Sequence, residues 1–264
     1  MQWYPGHMVR TTRRLRECLT FVDVVVEVVD ARIPRSGRNP LLDELAARRA
    51  RVIALNRHDL ADPSTTKAWL AEFARQGANA VAVDARAQRS VGRLAAAIAE
   101  LPRRTNRSGK ASRAMIVGVP NSGKSSIVNS LLRRGAAKTE DRAGVTRQMQ
   151  WFRVAPTVEL MDTPGLLPPK ISSTQAQWKL ALCGAVPRER YDPEEIAGAF
   201  HRWLVARDPQ TRVPDLPVFA ASRGFVRRGG EVDYHNAAHS YIRAFNEGAF
   251  GRISLEAPGD DEAA

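Results

Sequence analysis

Gly118-Val119-Pro120-Asn121-Ser122-Gly123-Lys124-Ser125 spells GxxxxGK[ST], set between a β-branched apolar run and a segment of helical spacing. No other feature constrains the fold as much. A glycine-rich turn from strand to helix aims backbone amides and a helix N-terminus at one anion. The pattern predicts a strand over 114–117 feeding this loop and a helix over 126–132 leaving it. Upstream, helix and strand spacings alternate: helix 7–20, strand 22–29, helix 41–49, strand 52–55, helix 65–76, strand 80–83 and helix 91–101. Downstream, 151–154 and 158–161 read as two paired strands around Ala155-Pro156-Thr157. The expected fold is α/β, a mainly parallel sheet with helices on both faces.

After Pro168-Pro169 the character changes. Segments 175–182, 193–205 and 236–246 have helical spacing and are separated by Pro and Gly. We therefore divide the chain into 1–170, the α/β domain, and 171–264, a smaller α-helical domain with a frayed acidic tail over 258–264. The stretch 102–112 reads as a short basic surface connection. An apolar content of 44% supports a proper core. A formal charge of +12 and a pI near 10.6 point to a polyanionic partner, most simply nucleic acid. Cys18 and Cys183 are the only cysteines, which suits a reducing compartment. The longest apolar stretch, 21–29, is interrupted by Asp23 and Glu27 and is too short for a bilayer, and the first residues lack a secretory pattern. A soluble, cytoplasmic monomer is the expectation.

The chemistry lies in loops that follow strands. The loop from Pro120 through Ser126 wraps a phosphate chain, with the amides of Asn121, Ser122, Gly123, Ser125 and Ser126 as donors. Lys124 sets its charge on the β- and γ-phosphates, and the Ser125 hydroxyl can ligate Mg²⁺. Asp162-Thr163-Pro164-Gly165 follows a strand, so Asp162 can hold Mg²⁺ through water while the Gly165 amide meets the γ-phosphate. Thr146, in the loop between these motifs, offers a further Mg²⁺ hydroxyl. Asn56-Arg57-His58-Asp59 has the form of the guanine-reading NKxD motif. The Asp59 carboxylate can accept both guanine N1–H and the exocyclic amino group, and a buried carboxylate left unpaired rejects adenine. Arg57 stands where Lys is usual, its aliphatic stem suited to lie along the base. Amides near Ala85 and Arg86 are candidates for the guanine carbonyl oxygen. In an ordinary GTPase the phosphate loop comes first and the base-reading motif last. Here the base-reading motif leads, so the fold expected is a circularly permuted P-loop GTPase binding GTP or GDP.

These motifs in this order resemble the circularly permuted ribosome-assembly GTPases of the RbgA/YlqF group. Gln2-Trp3-Tyr4-Pro5-Gly6-His7-Met8, Asp30-Ala31-Arg32-Ile33-Pro34 with Arg38-Asn39-Pro40, Gly229-Gly230-Glu231-Val232-Asp233 and Gly251-Arg252-Ile253-Ser254-Leu255-Glu256 resemble further segments of the group. The resemblance implies a GTPase acting late in large-subunit assembly, with ribosomal RNA and ribosomal proteins as partners and a helical RNA-contacting domain. Two positions depart from the pattern: Ala143 replaces a Pro, and NKxD is NRHD. Both leave the ligand atoms in place.

Leu166 follows DxxG where a water-positioning Gln is common, and its side chain cannot orient water. The resemblance implies His7 as the replacement. Related GTPases with Asn at the loop position of Asn121 can bind K⁺, which supplies charge where an arginine finger would sit. Intrinsic turnover is therefore expected to be slow and ribosome-stimulated. Because the helical domain follows Gly165 within a few residues, ordering of this switch can reorient it. Basic patches on the first helix (Arg10, Arg13, Arg14, Arg16), at Arg103, Arg104, Arg107 and Lys110, and at Arg223, Arg227 and Arg228 suit rRNA phosphates. Two alternatives stay open: a GTPase regulating another RNA-linked process, and a GTP-binding RNA assembly factor without significant turnover.

Overall fold

The computed structural model describes residues 5–101, 111–134, 151–161, 171, 173–226 and 229–260, with backbone alone for 5–11. In chain order the elements are α1 (Pro5–Leu19), β1 (Val24–Asp30), α2 (Pro40–Leu45), β2 (Ala50–Asn56), α3 (Pro63–Arg75), β3 (Asn79–Val83), α4 (Gln88–Glu100), β4 (Ser112–Val117), α5 (Lys124–Arg134), β5 (Trp151–Ala155), β6 (Val158–Met161), α6 (Thr174–Leu182), α7 (Pro193–Arg207), α8 (Leu216–Arg223) and α9 (Tyr234–Glu247).

The strands form one six-stranded sheet in the order β3-β2-β1-β4-β6-β5. All neighbours are parallel except β5 and β6, which pair antiparallel as a hairpin. β1 lies centrally and is buried along its length, which explains its nearly unbroken valine run. Alternate residues serve opposite faces: Val24, Val26 and Val28 pack with Val91, Leu94 and Ile98 of α4 and Ile127 and Leu131 of α5. On the other face Val25 packs with Leu15 and Leu19 of α1 and Leu42 of α2, and Val29 with Trp69 and Phe73 of α3. The α/β sandwich expected from the alternation is present.

The C-terminal helices have a core of their own, built on Trp178, Leu180, Ile196, Phe200, Phe219, Tyr241 and Phe245, which also takes in Ile33 and Val119. Polar caps start them: Ser173 accepts a backbone amide at the N-terminus of α6, and Asp192, Asp215 and Asp233 do so for α7, α8 and α9. Among the described residues no helix is long and apolar enough to cross a membrane.

Three expectations are corrected. Helix α8 was not anticipated; Pro217 sits in its first turn, where a missing N–H costs nothing. The helix expected over 41–49 ends at Leu45, and the following residues form turns, Arg49 N bonding Ala46 O at 2.9 Å. The tail expected to fray is tied down over its first residues. Arg35 Nη1 donates to Asp260 O at 2.7 Å, and Arg207 pairs with the Asp260 carboxylate at 2.8 Å.

Candidate functional site

The five parallel strands all end at one edge of the sheet, bringing Asp30, Asn56, Val83, Val117 and Met161 to a common side. From β1 the chain proceeds outward to β2, and from β4 it proceeds the other way to β6. The crevice between the ends of β1 and β4 is thus a topological switch point, where open α/β sheets bind ligands. The glycine-rich loop crosses it closely: a Cβ at Gly118 would lie 2.3 Å from the Val28 carbonyl oxygen.

The structure joins the two loops that the sequence separates. Asn56 Nδ2 donates to the carbonyl of Ser122 at 2.9 Å. A Cβ at Gly123 would fall 2.0 Å from that Nδ2, so only glycine admits the contact. Asn56 and Ser122 are each 2% exposed, yet Asn56 Oδ1 and Ser122 Oγ have no hydrogen-bond partner among the described residues. Buried polar atoms are ordinarily satisfied, so two orphans side by side fit a site whose ligand completes them. Backbone strain concentrates here too. The non-glycine residues with positive φ among those described are Arg57 (59°) and Asn121 (55°), one in each loop.

Lys124 Nζ donates to Val119 O at 2.6 Å, and burial lowers its pKa to about 8. A phosphate chain in this loop would supply the countercharge that favours the ammonium. Ser125 and Ser126 are exposed in the first turn of α5, and Pro120 is exposed at the loop tip. Asn121 Nδ2 donates to Gly184 O, just past α6, at 2.7 Å.

The base-reading loop is held on several sides. Arg57 Nη1 lies 3.3 Å from Asp30 Oδ2. Arg252 Nη2 donates to His58 O at 2.9 Å and Arg252 Nε to Ala61 O at 3.0 Å. The Asp59 carboxylate pairs with the Arg86 guanidinium. The Arg86 amide donates to Asp84 Oδ1 at 2.8 Å, so this residue reaches the loop through its side chain. Sequence reasoning missed that role, and also the roles of Asp30, Gly184 and Arg252. Asp30 and Arg252 had been singled out only within segments of family resemblance; Gly184 offered no signal beyond its place after a helix.

Several expected site residues lie outside the described ones: Thr146, Asp162, Gly165 and Leu166, with Ala143, Arg103, Arg104, Arg107, Lys110, Arg227 and Arg228. His7 lies on the backbone of α1, its side chain and that of Arg10 outside the description. Of that helix's basic face, Arg13 is exposed and pairs with Glu17.

Residues 113–189 match the family described as 50S ribosome-binding GTPase. The chain is 36% identical over 283 residues to ribosome biogenesis GTPase A of Priestia megaterium, covering 99% of this chain and 98% of that one. It is 39% identical over 292 residues to mitochondrial ribosome-associated GTPase 1 of Mus musculus, covering 97% and 90% respectively. Among solved structures, GNP-bound YlqF from T. maritima superposes with a TM-score of 0.75 at 29% identity, across 96% of this chain and 100% of that one.

Proposed function

This chain belongs to the ribosome biogenesis GTPase A family, the RbgA/YlqF group, and from that membership we propose a GTP-hydrolysing factor of large-subunit assembly whose nucleotide state governs its hold on ribosomal RNA and proteins. The observation that carries the reading is the Asn56–Ser122 hydrogen bond. It unites a guanine-reading motif with a phosphate loop 66 residues further on, in the permuted order.

In this reading Asp59 accepts from guanine N1–H and the exocyclic amino group, Asn56 locks that loop to the phosphate loop, and Arg57 packs its stem along the base. The Ala85 and Arg86 segment closes the far side of the base. Amides from Asn121 to Ser126 and the Lys124 ammonium take the phosphates, with Pro120 at the turn of the loop. Ser125, exposed at the start of α5, fits a Mg²⁺ ligand, with Thr146 and Asp162 completing the protein's share. Mg²⁺ would neutralise charge on the β- and γ-oxygens. The Asn121 amide nitrogen is engaged by Gly184 O, so a K⁺ there would be held through its Oδ1.

Hydrolysis attaches water oxygen to the γ-phosphorus and breaks its bond to the β–γ bridging oxygen, giving GDP and phosphate. The protein's task is positioning and charge stabilisation. His7 is assigned to the attacking water. A helix that packs on the sheet and feeds β1 through a short turn runs back along that strand. At about 1.5 Å per residue its first turn is carried toward the strands' carboxyl edge. The two parts of the chain divide the work: 1–170 handle nucleotide, and 171–264 contact ribosome. The bacterial relatives suggest a cytoplasmic setting, and we take the working form as a monomer.

The test is GTP turnover with and without purified large ribosomal subunits, in K⁺ and in Na⁺, for the wild type and His7→Ala. Subunits should stimulate turnover, more in K⁺. His7→Ala should lose about 10²-fold or more in kcat with GDP affinity retained, as for a removed general acid–base group. Absence of stimulation by subunits would sink the ribosomal assignment, and full turnover in His7→Ala would sink the role of His7.

A further inference from the structure

A closed circuit of hydrogen bonds runs from the nucleotide loops through the C-terminal helices and back. Asn56 holds Ser122 O, and the neighbouring Asn121 donates to Gly184 O. Two residues earlier, Leu182 O accepts from Asn246 Nδ2 at 2.7 Å, and Asn246 Oδ1 accepts from Arg32 Nη2 at 3.0 Å. Arg32 grips Asp30 through Nε at 3.0 Å and Nη2 at 2.8 Å. The same Asp30 oxygen that takes Nη2 faces Arg57, the neighbour of Asn56, closing the circuit. A second tie lies beside it, where Arg252 spans His58 O and Ala61 O.

The centre of this circuit is buried. Arg32 is fully buried, its guanidinium 4.6 Å from the centre of the Phe245 ring. Burial alone would lower the Arg32 pKa and raise that of Asp30; their mutual attraction and hydrogen bonds reverse both shifts. Such a pair recovers a large desolvation cost only when its polar atoms are all engaged. Displacing α9 would strip Asn246 from Arg32, so the seating of α9 and the position of Asp30 are bound together.

We propose that Asn246 and Arg252 are positioning residues for guanine recognition: through them the C-terminal half sets where the base-reading loop stands against the phosphate loop. The inference rests on the assignment of Asp59 as the guanine reader. It makes the ribosome-facing half a structural part of the nucleotide pocket, so whatever moves α9 also moves Asp59.

The experiment measures GDP and IDP affinity for the full chain by competition with a fluorescent GDP. IDP lacks the exocyclic amino group, so the GDP:IDP ratio reports the second hydrogen bond to Asp59. General loosening weakens both nucleotides equally, whereas a displaced reader lowers the ratio. Arg252→Ala and Asn246→Ala should each lower it about fivefold, the scale of one hydrogen bond. Asn246→Asp, which keeps the acceptor for Arg32, should lower it less than Asn246→Ala. Arg243→Ala, at an exposed α9 residue that pairs with Glu247, should leave it unchanged. Arg252 is exposed, so its variant keeps the test open if Asn246→Ala fails to fold. A ratio unchanged in every folded variant overturns the proposal. Asp59→Ala separates the failures: if it preserves the preference for GDP, the assignment of the reader falls and the inference goes with it.

Discussion

At the scale of single residues, the phosphate loop combines a buried cation with strained backbone, and Lys124 makes that arrangement measurable. Burial brings its pKa to about 8 in the protein alone, and bound phosphates raise it. Binding above pH 8 must therefore take up a proton, and affinity falls as pH rises. From pH 7 to 9 the GDP dissociation constant should increase about tenfold, and it should stay flat below 7. Fold stability responds in the opposite sense. The unfolded lysine titrates near 10.4, so between about 8 and 10.4 the unfolded chain binds more protons and stability from this group rises with pH. A weakening of GDP binding across this range cannot then be ascribed to this lysine unfolding the loop. Constant affinity to pH 9 would show that Lys124 keeps its proton without a phosphate. The glycine pattern, Lys124 and Asn56 were legible because their chemistry demands those residue types at those spacings. The Asp30–Arg57 pair was not, because its two residues lie at the ends of separate strands and only parallel pairing brings Asp30 opposite Asn56.

At the scale of elements, local signals predicted most of the chain where period and caps agreed. The β-branched run of β1, the hairpin of β5 and β6, and the amphipathic pattern of α4 each pointed one way. Helix α8 was hidden because Pro217 reads as a breaker, although the Asp215 cap and Gly224 at φ 68° mark a start and a stop. The tail was misread for a different reason: its anchors, Arg35 and Arg207, are remote in sequence. The stability of the helical part depends on an aromatic cluster in which the fully buried Phe200 of α7 meets Phe245 at 5.0 Å and Tyr241 at 6.2 Å between ring centres. Phe200→Ala should cost about 3–5 kcal/mol, read as a lower urea midpoint with the slope retained. A loss below about 1 kcal/mol would mean that the neighbouring rings collapse into the space.

At the scale of the whole molecule, permutation changes what lies next to what. The base-reading loop comes early, the phosphate loop follows it, and the chain then runs into helices that return along the first half. Glu256 accepts from the Arg35 and Ser36 amides at 2.7 and 3.1 Å, and Leu255 N donates to Arg32 O at 2.8 Å. If this chain of net charge +12 grips RNA as proposed, an architecture of this kind would convert that grip into pressure on its own nucleotide pocket. Linkage makes the conversion reciprocal. If a non-hydrolysable GTP analogue tightens binding to large ribosomal subunits about tenfold relative to GDP, subunits must raise analogue affinity over GDP by the same factor. Subunit affinity itself should fall steeply with salt, about 10³-fold between 50 and 200 mM if six or more phosphates are neutralised. The analogue-to-GDP ratio should change far less, because phosphate contacts made in both states cancel. Sedimentation with subunits at two salt concentrations, with each nucleotide, measures both quantities. Equal subunit affinity with GDP and with the analogue would mean that the γ-phosphate does not govern the hold on the ribosome, while the guanine-positioning role of Asn246 and Arg252 would still stand or fall on the GDP:IDP ratio.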